Sequence, residues 1–127
     1  AGVCDYRDIA VAVACPVVAK YPLRREVVVY GGAIHLSKDY VEINGQRSYG
    51  LVALRDGGRW GAPVSEAIVK GLSQEHGIIK IQGSEFERIK VGDLLFILPA
   101  HSCLTVQVMR KYYTLTGRVI STLNQSR

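Results

Sequence analysis

Two side chains near the end of the sequence have the chemistry of metal ligands. His101 and Cys103 follow the apolar run Leu94–Leu98 and are separated by one residue. In an extended chain, residues i and i+2 lie on the same side, so the imidazole and the thiol would project together. Nitrogen and sulfur ligands suit Zn²⁺, and two protein ligands would leave positions open for water or substrate. The spacing predicts a metal site, and the alternative is a packed thiol beside a surface histidine.

A second polar segment, residues 73–77, lies between two apolar runs. Glu75 and His76 place a carboxylate beside an imidazole in this segment. Such a pair could act in acid–base catalysis or support a metal ligand. An exposed connecting loop is the alternative interpretation.

Paired glycines mark a third segment, where Gly31 and Gly32 follow the β-prone run Glu26–Tyr30 and precede His35. Without a Cβ, two successive glycines let the backbone come close to a ligand or to a neighbouring chain. A simple turn with a surface histidine is the alternative. The sequence contains no P-loop, no G-x-G-x-x-G and no serine nucleophile elbow.

Short β-prone runs separated by turns would have to position these residues, and they predict an all-β fold, a closed barrel or a sandwich. Asn44-Gly45 between two such runs predicts a tight hairpin, because both turn positions need a positive φ. Pro16 predicts a kink or an edge in the first strand. Val64–Leu72 fits helical spacing and a short strand about equally well. The remaining strand candidates are Ile9–Ala19, Glu26–Tyr30, Gly77–Ile81, Leu94–Leu98, Thr105–Met109, Lys111–Thr116 and Val119–Leu123.

Length and composition limit the class of protein. The 127 residues are 48% hydrophobic and have a formal net charge of +5, which indicates one folded domain rather than a disordered chain. No apolar run is long enough for a membrane helix. Three cysteines are too few for a disulfide framework and favour a reducing, cytoplasmic location, with Cys15 as a small buried hydrophobe. Because the sequence begins without Met, we expect it to be part of a longer protein.

The basic excess allows a different function. Asp93 is the last acidic residue, and Arg110, Lys111, Arg118 and Arg127 follow it. Such an end could bind nucleic acid, but the aromatic residues do not alternate with the basic ones as stacking platforms require. We therefore expect a solvated basic face and no nucleic-acid partner, and a stand-alone basic binding module remains an alternative.

Taken in order, the motifs resemble one family. They are Tyr30-Gly31-Gly32-Ala33 with Leu36-Ser37-Lys38-Asp39, Leu72-Ser73-Gln74-Glu75-His76-Gly77, Gly92-Asp93, and Leu98-Pro99-Ala100-His101-Ser102-Cys103-Leu104-Thr105-Val106. The sequence is similar to the D-threonine aldolase and D-serine dehydratase group of fold type III pyridoxal-phosphate enzymes, which is related to alanine racemase. The resemblance extends from about Cys15 to Ile120.

The resemblance implies a fold and a set of site residues. Residues 1–127 would form a single C-terminal β-barrel domain like that of alanine racemase, and the N-terminal α/β barrel with the cofactor lysine would be absent from this chain. His101 and Cys103 would be the metal ligands, with zinc favoured over manganese by the thiolate. Glu75 and His76 would lie on the active-site loop.

The resemblance also implies an activity for the full-length enzyme. It would be a pyridoxal-phosphate lyase that cleaves or dehydrates a small D-β-hydroxy amino acid, and it would form a homodimer. A racemase without a metal is the alternative within the family. The sequence departs from the family pattern at Tyr30-Gly31-Gly32, where Asp-Ala-Gly is common, and at His35. Lys20 and Lys38 do not match the cofactor lysine, so the isolated chain is expected to be inactive and to expose a large apolar docking surface.

Overall fold

The structure is a computed structural model that describes residues 2–122. Strands dominate it: β1 (Val13–Tyr21), β2 (Glu26–Tyr30), β3 (Val41–Ile43), β4 (Gln46–Ser48), β5 (Gly50–Asp56), β6 (Arg59–Pro63), β7 (Ala67–Leu72), β8 (His76–Ile81), β9 (Leu94–Pro99), β10 (Lys111–Tyr113) and β11 (Val119–Ser121). Two α-helices accompany them, α1 (Ala33–Leu36) and α2 (Ser102–Met109). Single 3-10 turns form at Tyr6–Asp8, Pro22–Arg24 and Ser84–Arg88. The expectation of a mostly β chain is confirmed.

Seven strands form one antiparallel sheet in the order β6-β5-β9-β1-β2-β8-β7. β1 is at its centre and changes neighbours along its length. Its ladder with β9 ends at Pro16, its ladder with β2 begins at Val17, and the register shifts between Val17 and Ala19. Because proline lacks a backbone N–H, this confirms the irregularity predicted at that position.

The core lies on one face of this sheet, where side chains alternate between buried and exposed as the two-residue period requires. Val13, Cys15 and Val17 alternate inward along β1, and Ile79 and Ile81 do so on β8. Burial raises the pKa of the Cys15 thiol to about 12. Cys15 is thus the buried hydrophobe that the sequence predicts.

Several local predictions are confirmed at the residue level. β2 spans the predicted residues, and the ambiguous segment contains the strand β7 rather than a helix. Asn44 and Gly45 have φ of 51° and 77° and join β3 to β4 in a tight hairpin. Gly117 has φ of 88° in the turn between β10 and β11.

Other predictions are corrected. The first strand begins at Val13 rather than at Ile9, and β10 ends at Tyr113. The prediction of an extended segment at Thr105–Met109 is wrong, because these residues belong to α2. β-branched residues favour strands, but the buried Thr105 donates its backbone N–H to His101 O, and this bond belongs to the first helical turn. The prediction for the last strand includes Leu123, and the basic end includes Arg127; both residues lie outside the described range.

The closed barrel is not confirmed. Within residues 2–122 no ladder joins β6 to β7, the two edge strands of the seven-stranded sheet. The sheet is nevertheless strongly curled, since the backbone N–H of Tyr49 donates to Val69 O at 3.1 Å. No helix within the described range is long and apolar enough to cross a membrane.

Candidate active-site surface

The predicted polar loop and the paired glycines lie against each other. β2 and β8 end side by side, with Tyr30 opposite His76. Beyond that pair the backbone N–H of Gly31 donates to Glu75 O at 2.9 Å. Ala33 N–H donates to Ser73 O at 2.9 Å, so the start of α1 is also bound to this loop. The two segments form one surface at the same end of the sheet.

Glycine is required where the two segments touch. A Cβ built on Gly32 would lie 2.5 Å from His76 N and 2.6 Å from Gln74 O. Both atoms belong to backbone, which cannot turn aside as a flexible side chain could. The paired glycines do permit a close backbone approach, but its partner is the loop that carries Glu75 and His76 rather than a ligand or a neighbouring chain.

Two histidines flank one tyrosine on this surface. The ring centroid of Tyr30 lies 5.2 Å from that of His35 and 5.7 Å from that of His76, both in edge-on arrangements. The Gly32 N–H donates to His35 Nδ1 at 3.0 Å, so this nitrogen is unprotonated. Burial lowers the pKa of His35, and the charge of nearby Glu75 partly opposes that shift. His35 is held as a neutral imidazole.

His101 lies just before α2, which packs against α1. Its Nδ1 lies 2.7 Å from Oδ2 of Asp39, and both side chains are about half exposed. The buried hydroxyl of Thr105 is 3.2 Å from Leu36 O and 3.2 Å from His101 O. Thr105 thus connects the end of α1 to the start of α2. Asp39 and Thr105 occur in the sequence motifs, but neither of these contacts could be predicted from the sequence.

The structure revises how His101 and Cys103 are arranged. His101 has an extended backbone at the N-cap of α2, whereas Cys103 lies within the first helical turn. The expectation of a common extended strand is therefore wrong, because the helix begins at Ser102. Both side chains are exposed, and Cys103 is a free thiol.

The donor atoms nevertheless suit a metal in part. With Nδ1 of His101 bound to Asp39, its Nε2 makes no hydrogen bond within the described part of the chain. A nitrogen and a sulfur two residues apart match the preferences of Zn²⁺. No group of three or more His, Cys, Asp or Glu residues in the range 2–122 could hold a metal ion alone. This chain can supply at most part of a coordination sphere, and no hydrogen bond or ring contact in that range joins His101 to Glu75 or His76.

Lys20 contacts the segment around the 3-10 turn at Ser84–Arg88. Lys20 Nζ donates to Phe86 O at 2.8 Å and to Ile89 O at 2.7 Å, and it lies over the Phe86 ring. The Lys20 ammonium group therefore makes structural contacts.

A large apolar groove lies behind α2. It has a volume of about 740 Å³ and is bounded by the start of β1, α2 and the segment from Lys111 to Thr116. Apolar side chains nearby are exposed, among them Leu104, Val108, Met109 and Tyr113. Thr105 is the only fully buried residue of α2, so much of the surface of this helix is open to solvent among the described residues.

Comparisons with protein families and with curated proteins match most of this chain. A family model described as "Putative serine dehydratase domain" matches residues 10–115. A D-serine dehydratase from Dictyostelium discoideum is 29% identical over 124 residues, which cover 91% of this chain and 29% of that protein. The chain therefore spans less than a third of the length of this curated relative.

Solved structures also match most of this chain, which covers about a third of each of them. An alanine racemase-like protein from Idiomarina loihiensis matches with a TM-score of 0.77 and 29% identity, over 94% of this chain and 32% of that one. D-threo-3-hydroxyaspartate dehydratase from Delftia sp. HT23 matches with a TM-score of 0.74 and 27% identity, over 94% and 33%. A cysteine-to-alanine variant of a D-threo-3-hydroxyaspartate dehydratase, described as being in the metal-free form, matches with a TM-score of 0.74 and 26% identity, over 94% of this chain and 33% of that one.

Proposed function

The chain belongs to the serine dehydratase domain family, and on that premise we propose that it is the C-terminal domain of a pyridoxal-phosphate lyase. Its substrate would be a small D-β-hydroxy amino acid, as in enzymes of the D-serine dehydratase or D-threonine aldolase type. The observation that carries this proposal is His101, held by Asp39 with Nε2 unused, two residues before the exposed thiol of Cys103. A D-threo-3-hydroxyaspartate dehydratase among the similar structures is described as being in the metal-free form, which supports a metal in enzymes of this kind.

The rest of the catalyst would lie outside this chain. The similar proteins are about three times longer, which supports an additional N-terminal α/β barrel carrying the cofactor lysine. We propose that this barrel packs on the apolar groove behind α2, since that helix also carries Cys103. A homodimer would complete the assembly, and contacts with the barrel would complete the closure of the curled sheet. The three free thiols support a reducing compartment.

His101 and Cys103 would hold a zinc ion, or manganese, which supplies a Lewis acid for the substrate hydroxyl group. Pyridoxal phosphate, held by the other domain, would supply the electron sink for the amino acid. Asp39 holds the His101 ring through Nδ1, and the Thr105 hydroxyl holds the His101 main-chain oxygen. Glu75 and His76 would line the same surface as His101, because α1 makes hydrogen bonds both to their loop and to α2.

The side chains on this surface would have two different roles. Glu75 and His76 carry exchangeable protons and are proposed to move a proton at the substrate. His35 remains neutral and accepts the Gly32 N–H, so it holds the loop geometry rather than exchanging a proton. Tyr30 and His35 differ from the common family pattern and are therefore candidates for selecting the substrate.

The test uses the whole protein that contains this chain. Wild type, His101→Ala and Cys103→Ala would be compared for zinc content and for turnover of D-serine, D-threonine, D-threo-3-hydroxyaspartate and D-alanine. Cys4→Ala is the matched control, because Cys4 is also an exposed free thiol. We expect the control to keep its zinc and its activity and both ligand variants to lose them.

The products identify the reaction. Pyruvate and ammonia from D-serine indicate a dehydratase, whereas glycine and acetaldehyde from D-threonine indicate an aldolase. L-Alanine formed from D-alanine, with no lyase product, would replace the proposal with a racemase. Equal zinc content in wild type and His101→Ala would refute the metal site.

A further inference from the structure

We propose that Asp39 is a positioning residue that selects the ring nitrogen through which His101 binds its metal. This inference rests on the proposed function, since it assumes that His101 is a ligand. Asp39 and His101 are 62 residues apart in sequence, yet Oδ2 and Nδ1 lie 2.7 Å from each other. The distance is in the range of a charge-assisted hydrogen bond.

The chemistry of the pair determines the tautomer. An ionised carboxylate can only accept hydrogen bonds, so the hydrogen must be on Nδ1 of His101. In the neutral ring this leaves the lone pair on Nε2. A metal ligand needs such a lone pair, and the carboxylate also makes the ring a more basic ligand.

One buried residue, Thr105, contacts the main chain of His101 and the end of α1, which precedes Asp39. The Thr105 hydroxyl lies 3.2 Å from Leu36 O, at the end of α1, and 3.2 Å from His101 O. Leu36 is itself buried, and Asp39 follows it by three residues. The carboxylate therefore approaches the ring from a segment whose start is fixed, which is what a positioning contact requires.

Loss of the Asp39 carboxylate should weaken metal binding by His101. Without the carboxylate, the His101 ring is free to rotate and to take the other tautomer, so part of the population lacks a lone pair on Nε2. Loss of such an outer-shell partner lowers metal affinity by about 10- to 100-fold. The ligands themselves are unchanged, so the coordination geometry should be retained once metal binds.

The experiment measures metal binding in the whole protein rather than turnover. Zn²⁺ affinity would be obtained by competition with a chromophoric chelator for wild type, Asp39→Ala, Asp39→Asn and His101→Ala. Glu42→Ala is the matched control, because it removes one exposed carboxylate from the neighbouring strand β3. Titration with Co²⁺ would report the geometry through its ligand-field absorption bands.

We expect Asp39→Ala to bind Zn²⁺ about 10- to 100-fold more weakly than wild type, with Co²⁺ bands at unchanged positions. Asp39→Asn keeps an acceptor oxygen but not the charge, so its affinity should be intermediate. Glu42→Ala should match wild type. If Asp39→Ala does not fold by circular dichroism, Asp39→Asn decides the question.

Two outcomes separate this inference from the proposed function. If His101→Ala loses the metal while Asp39→Ala and Asp39→Asn bind it like wild type, the role of Asp39 is refuted and the metal site stands. If His101→Ala binds Zn²⁺ as tightly as wild type, the metal site itself is refuted, and the role of Asp39 with it.

Discussion

The hydroxyl of Ser48 joins two strands that share no ladder. It accepts the backbone N–H of Val69 at 2.9 Å and donates to Gly50 O at 2.7 Å, and both Ser48 and Val69 are fully buried. Val69 belongs to the edge strand β7, whereas Ser48 ends β4 just before β5. A side chain thus satisfies a backbone group that the open end of the sheet would otherwise leave unpaired.

Ser48→Ala should therefore destabilise the fold. The substitution leaves the buried Val69 N–H without a partner, which costs about 1–3 kcal/mol. Urea unfolding followed by fluorescence would give the free energy of unfolding. Ser121→Ala is the control, because Ser121 is exposed on β11 and its loss should cost little. Equal stability of the two variants would contradict a bridging role for Ser48.

Elements that are defined by a few neighbouring residues were predicted correctly. Asn44-Gly45 defines its hairpin through two positive φ angles, and β2 is bounded by the glycines that follow it. The helix α2 was not predicted, because Thr105, Val106 and Val108 favour strands. Tertiary contacts overrode that preference: Thr105 bonds to both Leu36 and His101, and no periodicity in the sequence reveals this.

The candidate site, too, could be predicted only in part from the sequence. His101, Cys103 and the polar loop could be selected as candidates from residue types and spacing, and the close approach at Gly32 follows from its missing side chain. The contact of Asp39 with His101 could not be predicted, since it depends on where two distant segments meet. The Ser48 bridge is hidden for the same reason: a buried serine and a surface serine look alike in sequence.

Gly32→Ala should disturb the loop that carries Glu75 and His76. Its Cβ would lie 2.5 Å from His76 N, so one of the two backbone segments must move. We expect a loss of about 1–3 kcal/mol, comparable to overpacking in a core. Hydrogen exchange should also show faster exchange at the Gly31 N–H, which donates to Glu75 O.

The control for this change is Gly58→Ala. A Cβ at Gly58 meets no atom within 4 Å and requires no positive φ, so stability should be maintained. Gly32→Ala with unchanged stability and exchange would show that the close approach is not required.

Glu26 should make the fold sensitive to acid. A hydrogen bond from Lys70 is the main cause that lowers the pKa of Glu26 below its ordinary value of 4.5; burial opposes it, and the charges of Lys70 and Arg24 assist. A carboxyl with a lowered pKa stabilises the fold fully above that ordinary value, and the contribution is lost as pH falls through the folded-state pKa.

Glu26→Gln should therefore flatten the acid limb of the stability curve. The melting temperature would be measured from about pH 7 to about pH 3, below the usual glutamate range. The variant should be less stable at neutral pH and should lose less than wild type on acidification. Glu42→Gln, on an exposed residue, should follow the wild-type curve. Parallel curves for wild type and Glu26→Gln would argue against the pairing.

His35 should titrate below its ordinary pKa of 6.5, because burial disfavours the imidazolium form. The charge of Glu75 raises the pKa and that of His76 lowers it. NMR titration of the histidine ring protons should thus show a low midpoint for His35. In Glu75→Gln the midpoint should fall further; an upward movement would contradict this arrangement.

The same pKa shift has a stability consequence. The neutral form of His35 accepts the Gly32 N–H, and protonation removes that acceptor. Because the folded-state pKa lies below the unfolded one, stability is complete above the ordinary value of 6.5 and is lost as pH falls below it. Hydrogen exchange at the Gly32 amide, corrected for its intrinsic pH dependence, should lose protection over that range in wild type.

Cys15 should be the one thiol in residues 2–122 that resists modification. The thiolate is the reactive form, and burial raises the pKa of Cys15 to about 12, whereas Cys4 and Cys103 are exposed. With a disulfide reagent at about pH 8 and a chelator that removes bound metal, Cys4 and Cys103 should react quickly and Cys15 only after denaturant is added. Rapid reaction of all three in the folded protein would contradict the burial of Cys15.

Alkaline pH provides an independent check on Cys15. Above an unfolded-state pKa of about 8.5, the unfolded chain releases this proton and the folded chain retains it, so stability must fall as pH rises. The slope from this one group reaches at most about 1.4 kcal/mol per pH unit. Cys15→Ala is less stable at neutral pH because it leaves a cavity, yet its stability should decline less steeply between about pH 8.5 and about pH 10.5. A slope equal to that of wild type, measured by urea unfolding, would mean that Cys15 ionises as readily in the folded state as in the unfolded one.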